Sequence, residues 1–293
     1  STHERIRKYF DKFYYVDTFN DEEILKLSMD CRIDIAIYRA GLTINSRSSI
    51  FAKKVAPIQI NYLGYPGTTG QEGVDYIISD KFVIPDDQEK YYSENIIFLT
   101  ECYYPRDNNR KISSKKFSRK NYRIADDSFV FCSFNNSYKI TKEEFKIWMK
   151  LLKEVKNSKL LLLVSNKIIK SNLLKESKKY NIFEDRLVFL ENIIFEEHLA
   201  RHSLADLFLD SFNYNAHTSA VDALWSGLPI LTKSGNSFSS RICGSLLKYI
   251  KLDEMVTKSN EEYFAKAIEL ATQPIKYKEI KDKIMKLKIS DDF

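Results

Sequence analysis

From residue 129 onward, short apolar runs alternate with amphipathic stretches so regularly that few folds accommodate the pattern. "FVFCSF" (129–134), "KLLLLV" (159–164), "RLVFL" (186–190), "ADLFLD" (205–210) and "PILT" (229–232) have the length and near-unbroken hydrophobicity of strands buried on both faces. Between them stand helical patterns: "TKEEFKIWMKLLKEV" (141–155), a stretch near 168–180, the short "FEEHLARH" (195–202) and a helix from about residue 217. Three more helices are expected after "PILT". Thr141 with Glu144 three residues on is a capping box. Strands separated by helices of this length build βαβ units, and therefore a parallel sheet covered on both faces. The fold class is α/β.

The earlier part repeats the theme less regularly. "IDIAIY" (33–38), "PIQINYL" (57–63), "DYIISD" (75–80) and "NIIFLT" (95–100) read as strands. The polar, basic stretch that follows places a boundary near residues 110–123, and 293 residues suffice for two lobes. The chain has only eight glycines, yet five fall between Gly41 and Gly73, around the loop "GYPGTTG" (64–70). A cluster of a scarce residue points to a backbone that turns sharply or approaches a ligand closely.

Composition narrows the class of partner. The formal charge of +6 comes from lysines interleaved with acids, as in "DKIMKLKISDD", with no sustained basic block beyond "SSKKFSRKNYR" (113–123). Solvated lysine faces explain it better than a nucleic-acid surface. The longest apolar runs are too short to span a bilayer, and no signal-peptide pattern opens the chain. Cys31, Cys102, Cys132 and Cys243 stand far apart without a CxxC pair, which fits a reducing compartment and a cytoplasmic location. The chain begins at Ser1 rather than at a methionine, which leaves room for an upstream segment.

In open α/β sheets ligands bind off the carboxyl ends of strands. That rule selects "FNNSYK" (134–139), "ENIIFEEH" (191–198) and "SFNYNAHTS" (211–219), which carry two of the four histidines, with His202 just beyond the second. With Asn215 or Ala216 as N-cap, the free N–H groups of His217, Thr218 and Ser219 point out of a helix end that favours phosphate; otherwise Asn215 merely caps the helix. Asp222 lies four residues beyond Thr218 on the same face and can accept from ribose hydroxyls. Lys139, just before the capping box, is either a surface lysine or a point charge for a departing diphosphate. His198 and His202 are four apart, but the glutamates do not fit HExxH, and the chain has neither a DxD triplet nor GxGxxG. No metal is expected.

Together, "APIQINYLGYPGTTG" (56–70), "DYIISD", "FCSFNNSYKIT" (131–141), "EEHLARHSLADLFLD" (196–210), "YNAHTSAVDALWSGLPILT" (214–232) and "SRICGSLL" (240–247) resemble, in order, the catalytic domain of O-linked N-acetylglucosamine transferases, which SPINDLY-type O-fucosyltransferases share. The resemblance runs from about residue 20 to the end. It implies a GT-B fold with two Rossmann-like lobes, here 1–115, an incomplete first lobe, and 116–293, the nucleotide-sugar-binding lobe. It also implies an inverting, metal-independent enzyme without cofactor that moves GlcNAc from UDP-GlcNAc to Ser/Thr hydroxyls of acceptor proteins, or fucose from GDP-fucose. A nucleotide-sugar-binding module without turnover is the remaining alternative.

Residue by residue, the resemblance makes Lys139 and His217 catalytic. Leu63, Gly64, Pro66, Asn136, His198, Arg201, Thr218, Ser219 and Asp222 become donor-binding. Upstream TPR repeats that present acceptors are implied too, with no membrane and no nucleic acid as partners. Departures are visible: the family's upstream histidine-bearing segment is absent, "IDIAIYRAGLT" (33–43) has Tyr38 and Arg39 in place of the usual pair, and the chain stops at "ISDDF" (289–293). Phe195 replaces a lysine expected near the base.

Overall fold

The computed structural model describes residues 2–105, 107 and 109–289, so the end of the run "ISDDF", from residue 290, lies outside the described residues. Two compact units emerge. One holds the chain up to Ser79 together with Pro85–Leu99, and the other holds Asp80–Ile84 together with the chain from Thr100 onward.

In the first unit, α1 (Thr2–Arg7) and α2 (Asp21–Asp30) precede β1 (Ile35–Tyr38), and α3 (Ser48–Ala52) leads to β2 (Ile58–Asn61), β3 (Tyr76–Asp80) and β4 (Asn95–Leu99). The strands lie in the order β1-β2-β3-β4, with β1, β2 and β3 mutually parallel. All four strands were legible as apolar runs, whereas α2 was not. No residue of α2 is fully buried, its apolar Ile24, Leu25 and Leu27 being only half-covered, and its start is marked by the Asn20–Glu23 capping box.

The second unit carries β5 (Phe129–Ser133), α4 (Lys142–Glu154), β6 (Ser158–Leu163), α5 (Lys167–Lys178), β7 (Leu187–Leu190), α6 (Phe195–Ala200) and β8 (Leu207–Leu209). It continues with α7 (Thr218–Trp225), β9 (Ile230–Lys233), α8 (Ile242–Tyr249), β10 (Val256–Thr257), α9 (Asn260–Thr272) and α10 (Pro274–Ile289). The six strands are all parallel, in the order β10-β9-β8-β5-β6-β7. Sheet centre and helices share one core in which Phe131, Trp148, Leu161, Phe208 and Leu231 are wholly shielded from water. Among the described residues no helix is long and apolar enough to cross a membrane.

The basic stretch is used inside this unit. The guanidinium of Arg119 makes two 2.9 Å bonds to the carboxylate of Asp206 and donates to the carbonyls of Leu204 and Ser128. It thereby anchors the incoming chain beside β5 and β8.

The expected capping box at α4 is present, and it does more than cap. Glu144, fully buried, accepts from the Thr141 N–H and hydroxyl through Oε2, while its Oε1 accepts from the Phe212 N–H at 2.7 Å. One carboxylate therefore joins the start of α4 to the loop after β8. Glu144→Ala removes a cap and strands a buried N–H, which we expect to lower stability by about 2 kcal/mol in urea unfolding. A loss no larger than that of an exposed cap would show that the Phe212 bond contributes nothing.

Candidate functional site

The strand order of the second sheet reverses between β5 and β8. The chain leaves β5 towards β6 and β7, and leaves β8 towards β9 and β10. Loops leaving the carboxyl ends of two such neighbours diverge and open a crevice. Here those loops are residues 134–140 and 210–217, where the sequence placed its candidates.

Asp210, completely buried, organises both loops. Its Oδ1 accepts from the N–H groups of Ser211 (2.8 Å) and Ala216 (2.6 Å) and from Asn135 Nδ2 (3.1 Å), while Oδ2 accepts from the Thr232 hydroxyl (2.7 Å). Burial pushes its carboxyl above the ordinary value, against the pull of Thr232, Ala216 and Lys139. Lys139 ends a short 3-10 turn (Ser137–Lys139) and reaches back into the same loop. Its ammonium donates to the Asn215 carbonyl at 2.9 Å and lies 4.1 Å from the centre of the Tyr214 ring. Desolvation brings Lys139 down to about 8, with Asp210 opposing the shift. Asn136 is exposed at the start of that turn, and its neighbour Asn135 makes the bonds to Asp210 and Ser211.

The start of α7 differs from the expectation in one respect. Asn215 is not its cap: the Asn215 side chain is spent on the Ser211 carbonyl and its N–H on Ser239, and His217 takes the cap position without a side-chain bond. The consequence for chemistry is unchanged. Among the described residues no acceptor bonds the N–H groups of His217, Thr218 or Ser219, the first of these belonging to a half-buried residue and the second to an exposed one. Three unpaired donors at the positive end of a helix are chemically suited to receive an anion. The His217 ring stacks on Tyr214 at 4.7 Å, and burial, with Lys139 nearby, lowers it to about 3, so it is neutral.

Beyond these donors, Asp222 lies buried one turn into α7, pushed up to about 6 by burial and held down by Arg110. On α6, His198 Nδ1 accepts from Arg201 Nε at 2.9 Å. That bond requires Nδ1 to be unprotonated, so Nε2 carries the hydrogen and presents a donor suited to a base carbonyl. Burial and Arg201 lower His198 to about 4. Arg201 itself is buried and also donates to the Glu191 carbonyl at 2.6 Å, so it acts through His198. Phe195, at the start of α6, leaves its ring exposed.

Leu63, Gly64 and Pro66 belong to the first unit, on the loop that leaves the carboxyl end of β2. The loop is strained by design: Leu63 adopts φ +77°, and a Cβ on Gly64 would sit 1.8 Å from the Arg39 carbonyl oxygen. Only glycine fits there. Glu94 fixes the far side of the loop by accepting from the Thr69 N–H and hydroxyl, each at 2.7 Å, and from Thr68.

With this geometry in view, similarity to known proteins is decisive. The sequence profile of glycosyl transferase family 41 matches residues 21–116 and 113–293. The chain belongs to this family. Among curated proteins, the Arabidopsis thaliana "probable UDP-N-acetylglucosamine–peptide N-acetylglucosaminyltransferase SEC" is 34% identical over 92% of this chain and 28% of its own length. The Arabidopsis thaliana protein of the same named activity called SPINDLY is 28% identical over 86% of this chain and 28% of its own. This chain thus spans under a third of either relative. Among solved structures, a lysine-to-methionine mutant of the Thermobaculum terrenum O-GlcNAc transferase superposes with a TM-score of 0.89 at 25% identity, over 99% of this chain and 55% of that one. The α/β fold with two parallel sheets, of GT-B type, is therefore the family 41 fold.

The family 41 crevice also contains residues that the sequence did not single out. Asp210 sat unnoticed as the last letter of a strand, Asn135 beside a more exposed asparagine, and Tyr104 and Arg110 in a stretch read as a connection. A strand ending in an acid with a hydroxyl across the sheet, Thr232, was the available signal for the first. His202, weighed in the sequence only as a metal ligand, is held otherwise: its Nδ1 donates to the His198 carbonyl at 2.8 Å, and among the described residues its buried Nε2 has no partner. Burial, with His198 beside it, lowers His202 to about 3.

Unfolded histidine titrates near about 6.5. Below that value, down to the folded value, the unfolded chain binds more protons, so a ring buried neutral contributes stability at neutral pH that is lost as pH falls. Asp210 and Asp222, with raised carboxyls, work in the opposite sense. His202→Phe removes one ring from this balance, so its melting temperature should fall less than that of the wild type between about pH 7 and about pH 4.5. Equal falls would mean that His202 is protonated in the fold.

Proposed function

We propose that this chain is the catalytic part of a protein O-glycosyltransferase that moves GlcNAc from UDP-GlcNAc to Ser/Thr hydroxyls, with inversion and without a metal ion. The observation that carries the reading is the trio of unbonded N–H groups at His217, Thr218 and Ser219, with Lys139 on the adjoining loop. The named activities of the Arabidopsis relatives point to the same donor and to peptide acceptors. In this reading the donor diphosphate rests on the start of α7. The ribose meets Asp222, the base carbonyl meets His198 Nε2–H, and Asn136 lies at the edge of the donor pocket. Leu63, Gly64 and Pro66 remain donor-binding candidates on the first unit.

The acceptor hydroxyl oxygen attacks the anomeric carbon on the face opposite the diphosphate, and its proton passes to water or to an oxygen of the departing diphosphate. As that bond forms, the bond from the anomeric carbon to the β-phosphate oxygen breaks, and negative charge grows on the leaving phosphate. Lys139 and the three amides offset it without reorganising, because the fold already holds them in place. The neutral His217 ring avoids competing with Lys139 for the same anion, and packs Tyr214 against it. Phe195, where a lysine is expected near the base, does not separate uracil from guanine, so GDP-fucose stands as the alternative donor. Binding of the nucleotide alone without transfer is the remaining outcome.

The test is calorimetric titration with UDP and GDP, with EDTA and with magnesium, followed by transfer assays with the matching sugar nucleotides on a Ser/Thr peptide. One nucleotide is expected to bind equally well in EDTA. Binding that needs magnesium would overturn the metal-free reading, and binding without transfer would reduce the chain to a nucleotide-sugar-binding module. Lys139→Ala should lower kcat by about a hundredfold or more while the chain still folds, with some stability lost because the buried Asp210 loses its counter-charge. In the free enzyme the Lys139 charge is lost above about 8, so kcat/KM should decline as pH rises through that value.

A further inference from the structure

The chain that enters the second unit is pinned to the start of α6 and to both ends of α7. The Tyr104 hydroxyl meets the Thr218 hydroxyl at 2.7 Å, the Trp225 indole donates to the Arg110 carbonyl at 3.1 Å, and the Ser113 N–H donates to the Glu196 carbonyl at 3.0 Å. Between these anchors the Arg110 guanidinium pairs with Asp222 Oδ1 and lies 5.9 Å from the centre of the Phe195 ring. The pair is nearly closed to solvent, with side-chain exposures of 12% for Arg110 and 7% for Asp222. Among the described residues nothing bonds the second oxygen, Oδ2 of Asp222.

We propose that Arg110 is a positioning residue of the donor site: by holding Oδ1 of Asp222 it fixes the carboxylate as an anion whose Oδ2 accepts a ribose hydroxyl of a bound nucleoside diphosphate. The inference rests on the donor-site reading above and adds to it a residue 112 positions away in sequence from its target. A buried carboxylate without a partner takes up a proton and turns from an acceptor into a donor. Arg110 prevents this, and because its own carbonyl is held by Trp225 it does so in one place. The opposite reading makes the pair a latch that the nucleotide must displace. Geometry disfavours it, since a displaced Arg110 would leave a guanidinium shielded from water without a counter-ion while its backbone stays tied to α7.

The test is titration of the whole chain with UDP and GDP, and with the 2′-deoxy and 3′-deoxy forms of whichever binds. Wild type, Arg110→Gln, Arg110→Met and Arg110→Lys are compared, with unfolding curves confirming that each variant folds. Wild type should prefer the ribonucleotide over one deoxy form by about tenfold, as expected for a hydrogen bond to a charged group, and Arg110→Gln and Arg110→Met should reduce that to about twofold or less. Competition by inorganic pyrophosphate should be unchanged in both, a result that a general collapse of the site would not give, and Arg110→Lys should restore most of the preference.

Two results overturn the assignment: an undiminished preference in Arg110→Gln or Arg110→Met, or tighter nucleotide binding in either, the mark of a latch. A wild type that binds nucleotide but ignores the ribose hydroxyls overturns it as well, leaving the donor seat standing. A wild type that binds neither UDP nor GDP removes the donor-site reading, and this inference with it.

Discussion

A carboxylate shut away from water needs donors on both oxygens, and the crevice of the second unit is shaped by how Asp210 finds them. Two of its partners are main-chain N–H groups of its own loop, one is the side chain of Asn135 from the loop after β5, and one is the Thr232 hydroxyl on β9. Bonds to Ser211 and Ala216 curl the loop so that residues 217–219 begin a helix with their amides unspent. The bond to Asn135 fixes the neighbouring loop, and with it the turn that carries Lys139. The opposite charges of Asp210 and Lys139 share one poorly solvated region, so each limits the cost of burying the other. Glu144 adds a second brace by tying α4 to Phe212.

Electrostatics in this region are graded by depth. The histidine rings are neutral because water is excluded from them and a positive neighbour stands by each, Arg201 beside His198 and His202 and Lys139 beside His217. Positive charge is left to Lys139 and to the helix start, while the guanidinium of Arg201 is turned into a director of His198. A site assembled in this way can meet an anion with fixed dipoles and one cation held in place.

The sheet of the second unit was legible because a strand covered on both faces must be apolar along its whole length, as "FVFCS" and "LLLL" are. β10 escaped because two residues, Val256 and Thr257, show no period. The helix start at His217 was legible from position in a βα loop, yet its cap was misread: asparagine is a favoured cap, but Asn215 is spent on Ser211 and Ser239, partners that local preference does not reveal. Asp210, Arg110 and Tyr104 were silent for the same reason. Their meaning lies in partners that are 22 to 114 positions distant along the chain, and no local pattern encodes a contact of that reach.

The open donors at the start of α7 are main-chain amides, and this divides the surface around them into two kinds of position. An amide survives nearly every replacement of the side chain it carries, so what the helix start offers an anion is blind to amino-acid identity at Thr218 and Ser219. What Phe195, His198 and Asp222 offer is carried by side chains, each of which a single codon can alter. Under the proposed donor reading, a lineage carrying this fold would exchange one nucleotide for another by drift on α6 and on the chain around Arg110 while keeping the same amides for the diphosphate. Constant and adjustable chemistry are lodged in different atoms of the same crevice.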